Sequence, residues 1–181
     1  RIVRPRNLYG GVMHAAIFAG FVTLLAGTIL VTIEADIAVP WLGASFLHGD
    51  FYLIFKLAMN IAGLLLIAGV VMAFYRRLVL RPATQENSAD DMLLLGFLAL
   101  LAVQGFAVQG LRLALTQDPW AAWSFVSYPV ALALQGVPRA VLAQLHEFNW
   151  DAHFLTAFVF LGYIAYSKMI HPFTALANVL F

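Results

Sequence analysis

Four apolar runs, each about twenty residues or longer, leave this chain few folds to choose from. They extend from about Gly11 to Ile33, Phe51 to Tyr75, Met92 to Leu115 and Trp150 to His171. A helix rises about 1.5 Å per residue and the hydrocarbon core of a bilayer is about 30 Å thick, so each run is long enough to cross. Composition points the same way, with 63% hydrophobic residues, 10% charged residues and a mean hydropathy of +0.89, against roughly 25% charged in a soluble domain. The expected fold class is all-α, an integral membrane four-helix bundle. Its 181 residues suit one domain, 1–181, and leave no room for a second.

The same composition removes several functions. A net charge of +1 without a basic aromatic face gives no reason to expect nucleic acid. With no Cys, the chain makes no disulfide and offers no thiolate to zinc or to an iron–sulfur cluster. Any such cluster belongs to a partner or to sequence beyond this chain. The chain opens on Arg1, so its start is expected to have been processed, trimmed or left out. The first run is longer than a signal-peptide core and lacks a small-residue cleavage site, so it reads as a retained span.

Cations orient the bundle. Arg1, Arg4 and Arg6 precede the first span, Arg76, Arg77 and Arg81 follow the second, and Lys168 ends the fourth. Arg139 stands alone on the other side. The positive-inside rule therefore predicts cytoplasmic termini in the cell's inner membrane. The stretch from Thr116 to Phe148 is expected to be external. Within it, Val130 to Leu145 is interrupted by Gly136, Pro138 and Arg139 and predicts a short amphipathic helix on the bundle or the headgroups. Trp120, Trp123, Tyr128 and Trp150 form an aromatic belt at that interface.

Ionisable residues at membrane depth are rare and functional by default. His153 and His171 are eighteen residues apart, about five turns, so they share one helix face about 27 Å apart and stand near opposite membrane surfaces. Imidazole is an axial ligand of haem iron, so this spacing points to haems on a path across the membrane. His14 lies one turn into the first span, at the depth of His171, and the two are expected to clamp one porphyrin between antiparallel helices. His153 needs a partner from His48, before the second span, or from His146, which serves only if the chain breaks near Asn149. Lys56, with Asn60 one turn on, and Arg112 either hold haem propionates or a quinone carbonyl, or snorkel to the surface and anchor the interface. Glu34, Asp36, Asp50, Glu147 and Asp151 form an acidic outer rim suited to quinone-coupled proton transfer or simply solvated. Gly20, Gly27, Gly63, Gly69, Gly105 and Gly110 permit close approach of backbones or of a flat macrocycle.

HFLTAFVFLGYIAYSKMIHPFTALANVLF, from His153 to Phe181, resembles the closing helix of haem b membrane domains related to the nitrate reductase gamma subunit and to heterodisulfide reductase membrane subunits. NLYGGVMHAAIFAGF, from Asn7 to Phe21, is similar to that family's first haem-bearing helix. FYLIFK, YRRLVLRP and QGLRLAL, starting at Phe51, Tyr75 and Gln109, resemble the subgroup associated with a heterodisulfide-reductase-like iron–sulfur protein, such as electron-transfer-flavoprotein:menaquinone oxidoreductases. The resemblance implies an electron-transfer subunit of a quinone-linked oxidoreductase, with one or two bis-His haems b on His14, His153 and His171. It further implies a quinone, menaquinone in that subgroup, and a cytoplasmic iron–sulfur partner, either a separate subunit or a fused downstream domain. One departure stands out: the gamma subunit's first haem helix bears two histidines ten residues apart, and here that second position is Leu24. The competing readings are a transporter whose histidines and Lys56 line a proton or ion path, and a cofactor-free membrane anchor.

Overall fold

The computed structural model describes residues 8–81 and 88–167. Arg1, Arg4, Arg6, Lys168 and His171, which carried expectations above, lie outside the described residues. Within them run α1 (Leu8–Thr32), α2 (Val39–Leu42), α3 (Gly49–Tyr75), α4 (Ala89–Thr116), α5 (Tyr128–Ala133) and α6 (Arg139–Ile164), with no strand among the described residues. Wider π-type turns, Ile33–Ala38 and Arg76–Leu80, carry α1 and α3 onward, so the apolar rods extend over Leu8–Leu42 and Gly49–Leu80. Together with Ala89–Thr116 they are long and apolar enough to cross a bilayer. The fold is an all-α membrane helical bundle.

Local chemistry sets where the rods stop. The Ser88 hydroxyl accepts the Asp91 N–H and caps α4, whose first turn carries Asp90 and Asp91 against the positive end of the helix dipole. α4 ends where Gln117 turns left-handed, with φ of 50°, and its N–H returns to the Leu113 carbonyl. α6 begins immediately after Pro138, which lacks an N–H and sits where none is needed.

That start corrects the sequence expectation. Gly136 and Pro138 do not interrupt a separate surface helix; they precede one continuous helix that passes through His146, Asn149 and His153. In the sequence Gly136, Pro138 and Arg139 make the run look broken, but they fall at the start of the helix and not inside it. The short helix of this stretch lies earlier, at α5, and packs on α4 where Gly110 leaves room for Val130.

Successive long helices run antiparallel, in the order α1, α3, α4, α6. α1 and α3 meet backbone to backbone: a Cβ on Gly20 would stand 2.7 Å from the Ala62 carbonyl oxygen, and one on Gly69 2.8 Å from the Ile17 nitrogen. Lipid tails are as apolar as leucine, so such helices associate through close packing rather than by escaping water, and small residues provide the approach. The apolar core joins Leu66, Val70 and Ala73 of α3, Leu94, Leu95, Leu98 and Ala102 of α4, and Phe160 and Ile164 of α6. Met13, Ile17, Phe21 and Leu24 of α1 pack against it. This core occupies the end of the bundle marked by the Arg77–Asp91 ion pair at 3.1 Å. The opposite end is marked by Lys56.

Candidate functional site

The site is built around one aromatic contact. Phe21 of α1 and Phe160 of α6 meet edge to face, ring centroids 6.1 Å apart, and Phe160, 1% exposed, also packs on Phe97 of α4 at 5.8 Å. His14 precedes Phe21 by seven residues, and His153 precedes Phe160 by seven. Seven residues are nearly two turns, so each histidine shares its phenylalanine's face and lies about 10 Å from it along the axis. Because α1 and α6 run in opposite directions, His14 lies toward the Arg77 end and His153 toward the Lys56 end. Their rings are thus about 21 Å apart in depth, too far to share one iron. His14 and His153 belong to two levels with a phenylalanine layer between them.

His153 points inward, and its Nδ1 is buried with no hydrogen-bond partner. A buried ring nitrogen left unpaired costs about 1–3 kcal/mol, so it marks a place where something else is to be bound or bonded. Gly105 of α4 faces the ring; a Cβ there would stand 3.7 Å from the imidazole Cε1. Gln104 Oε1, one residue away, is the other buried side-chain atom without a partner among the described residues. A histidine facing the bundle interior, an unsatisfied nitrogen and a glycine beside the ring fit one axial half of a haem site. His14 is exposed on α1 and stacks on Phe18, itself exposed, at 6.5 Å. His171 itself is outside the described residues.

Neither proposed counterpart of His153 sits opposite it. His48 is the residue before α3, in a loop fastened by Glu34, whose carboxylate accepts from the Ser45 hydroxyl and the N–H groups of Phe46 and Leu47. Gly63 of α3 packs on Phe106, next to Gly105, and so marks the depth of His153. His48 stands fifteen residues before it, about 22 Å along the helix. His146 lies on the same unbroken helix as His153, which removes the chain break that its role required.

Lys56 and Arg112 are brought together, by a residue that sequence reasoning passed over. The Lys56 ammonium, 1% exposed, donates to Asp118 Oδ2 at 2.7 Å and to the Trp120 carbonyl at 2.9 Å. Tyr52 donates to the same carboxylate at 2.8 Å, and Arg112 Nη2 donates to the Tyr52 oxygen at 3.2 Å and stands 3.8 Å from Asp118. Lys56 therefore does not snorkel; the chain folds back after α4 to bring its counterion to it. One turn deeper, Asn60, fully buried, donates to Gln109 at 3.4 Å and accepts the Val126 N–H at 3.0 Å. Gln109 in turn donates to Ser124 at 2.8 Å and accepts from Ser127 at 3.1 Å. Burial pushes the Asp118 carboxyl up, but hydrogen bonds from Lys56, Tyr52 and the Trp120 N–H outweigh it and hold the group below the usual carboxylate range. A buried lysine on a span was the available signal that an acid had to lie within reach, since an unpaired ammonium is not tolerated there. Beside this cluster an open groove of about 220 Å³ is lined by Leu57, Ala122, Trp123 and Phe125.

An all-α membrane bundle with histidines at two depths, of which His153 faces the interior, is the class that these features define. Residues 19–181 match the nitrate reductase gamma subunit family, and the chain belongs to it. It is 29% identical over 188 residues to a subunit of the dihydromethanophenazine:CoB–CoM heterodisulfide reductase of Methanosarcina barkeri, an alignment covering 98% of this chain and 62% of that protein. The corresponding protein of Methanosarcina mazei is 30% identical over 176 residues, covering 92% and 58%. The EtfAB:quinone oxidoreductase of Syntrophomonas wolfei is 24% identical over 193 residues, covering 97% of this chain and 25% of its own length. The chain thus spans about three-fifths of the first two relatives and a quarter of the third. No solved structure matches.

Proposed function

We propose that this chain is a membrane cytochrome b unit passing electrons between a quinone and an iron–sulfur partner. The observation that carries the reading is the placement of His14 and His153 two turns to either side of the Phe21–Phe160 contact, with the His153 nitrogen unpaired. Bound there, haem b supplies one-electron transfer, while the protein supplies ligation and burial. His14 and His171 hold the site near the cytoplasm and His153 the site near the outer face. The Phe21, Phe97 and Phe160 rings fill the space between the two levels and exclude water from it.

The quinone, menaquinone in the resembling subgroup, enters from lipid at the groove of Leu57, Ala122, Trp123 and Phe125. Arg112, more than a third exposed at its side chain, is the cation there still open to an incoming polar group, since Lys56 is committed to Asp118. The iron–sulfur partner docks at the cytoplasmic end beside Arg76, Arg77 and Arg81. Both termini then face the cytoplasm, and the protein resides in the cell's inner membrane. The electron-transfer roles carried by the relatives' names, heterodisulfide reductase and EtfAB:quinone oxidoreductase, support the reading.

A reduced-minus-oxidised visible spectrum of the purified protein tests it. Bands of b-type haem are expected, with part of the absorbance lost or shifted in His14→Ala and His171→Ala and a separate part in His153→Ala. Folded protein with no haem absorbance rejects the proposal.

A further inference from the structure

α6 turns one face inward, and that face changes character along its length. Leu142, His146, Asn149, His153, Phe160 and Ile164 fall within about 60° of one another round the helix axis. Leu142, Phe160 and Ile164 are 6%, 1% and 4% exposed, which marks this as the covered face. Between those sealed ends the stripe is polar, and His146, Asn149 and His153 each stay partly exposed. Apolar packing does not call for two turns of polar side chains on the inward face of a membrane helix; a polar group that comes to meet them does.

His146 lies about 10 Å from His153 toward the Lys56 end, and Asn149 about 6 Å. The stripe stays against α4 there: Asn149 Nδ2 donates to the Gln104 carbonyl at 3.4 Å, one residue from the Gly105 that faces the His153 ring. Sharing helix and face with His153 removed His146 as a ligand across the same iron. The same geometry suits it to the edge of the ring that His153 would hold. Haem b carries propionate carboxylates on one edge, and a carboxylate brought into a low-dielectric interior needs donors. Lys56, Arg112 and His146 stand seven residues from Gly63, Gly105 and His153, all toward the same end, and so share one depth. Lys56 is committed to Asp118 and the Trp120 carbonyl, and Arg112 reaches to Tyr52 on α3 and serves the quinone in the reading above. His146, of the three, makes no hydrogen bond or ion pair among the described residues. The nearest acids on its own helix, Glu147 and Asp151, are exposed and lie about 100° and 140° round the axis from it, so they do not oppose an incoming anion.

We infer that His146, with Asn149 beside it, binds a propionate of the haem held by His153. The inference rests on the cytochrome reading above. An imidazole or amide N–H given to a carboxylate is a charge-assisted bond, stronger than one between neutral groups. Ligand and edge contact then come from one rigid helix, so α6 sets the rotation of the ring as well as its position, with the propionate edge toward the outer face.

Resonance Raman spectroscopy of the purified, haem-loaded protein tests this through the propionate-bending band, whose frequency rises when the carboxylate accepts a hydrogen bond. The component of that band lost in His153→Ala is expected at the hydrogen-bonded position in the wild-type protein. His146→Leu is expected to move it to the lower position of a free propionate while the marker bands of axial ligation stay in place. Asn149→Leu should move it less, and His146→Gln, which keeps an N–H, should leave it near the wild-type position. Arg112→Leu should leave it unmoved. A wild-type component already at the free position, no shift in His146→Leu, or a shift in Arg112→Leu in its place overturns the His146 assignment alone. Protein with no haem overturns the cytochrome reading as well.

Discussion

At the Arg77 end of the bundle the helices meet through hydrocarbon, with Phe160, Leu66, Val70 and Leu98 closing on one another. At the Lys56 end they meet through a polar network that includes Lys56, Asp118, Tyr52, Asn60, Gln109, Ser124 and Ser127. The two ends draw on different energies. In lipid an apolar side chain gains little by leaving its solvent, so the Arg77 end depends on close fit. The polar end gains its hold because each group there has nowhere else to find a partner. Loss of fit weakens a bundle gradually, whereas loss of one member of a buried pair leaves the other stranded.

The largest effect is therefore expected from Asp118→Asn. It strands the Lys56 ammonium in a site where it is 1% exposed, and breaking a buried pair from one side costs about 3–5 kcal/mol. Denaturant unfolding in detergent measures the loss, and the double variant Lys56→Met, Asp118→Asn should recover much of it. Equal stability of single variant and wild type would erase the contrast between the two ends. Acid tests the same contact. Because the folded Asp118 pKa is depressed, its contribution is present above the unfolded carboxylate pKa and is lost as pH falls through the lower folded value. Protease cleavage between Gln117 and Ser127 should therefore rise in strongly acidic buffer and stay flat between neutral pH and pH of about 5.

Phe160→Ala is expected to cost less, about 2 kcal/mol, because only the cavity term of a large-to-small substitution applies where lipid replaces water as the reference. A loss as large as that of Asp118→Asn would mean that hydrocarbon packing and polar pairing are worth the same in this bundle. The same substitution removes the layer between the His14 and His153 levels, so on the proposed cytochrome reading both sites should respond together in the visible spectrum of the purified protein.

How legible each end was in the sequence follows from the same physics. Crossing a membrane demands a continuous apolar run, so α1, α3 and α4 could be read within a few residues. His14 and His153 were conspicuous because an imidazole in such a run is rare. The partner of Lys56 was not legible: Asp118 sits in a loop beside Trp120, one acid among several near that interface, and periodicity does not say that a loop folds back. The start of α6 was hidden for a related reason, since Gly136, Pro138 and Arg139 look like a break in the run whether they fall inside a helix or at its start.

The smallest effect expected sharpens the comparison from the Arg77 end. Ser88 caps α4 with its hydroxyl on the Asp91 N–H at 3.3 Å, and Asp91 in turn meets Arg77 of α3 at 3.1 Å. Ser88→Ala should cost about 1 kcal/mol, the usual worth of an N-cap. The Arg77–Asp91 pair adds little to this, since both side chains keep some contact with solvent and a partly exposed pair contributes about 0–1 kcal/mol. Arg77→Ala should therefore fall below Ser88→Ala, and both should fall well below Asp118→Asn, when unfolding of the three variants is measured side by side. An Arg77→Ala loss comparable to that of Asp118→Asn would show that ion pairs hold both ends alike, and the division between a fitted end and a paired end would not stand.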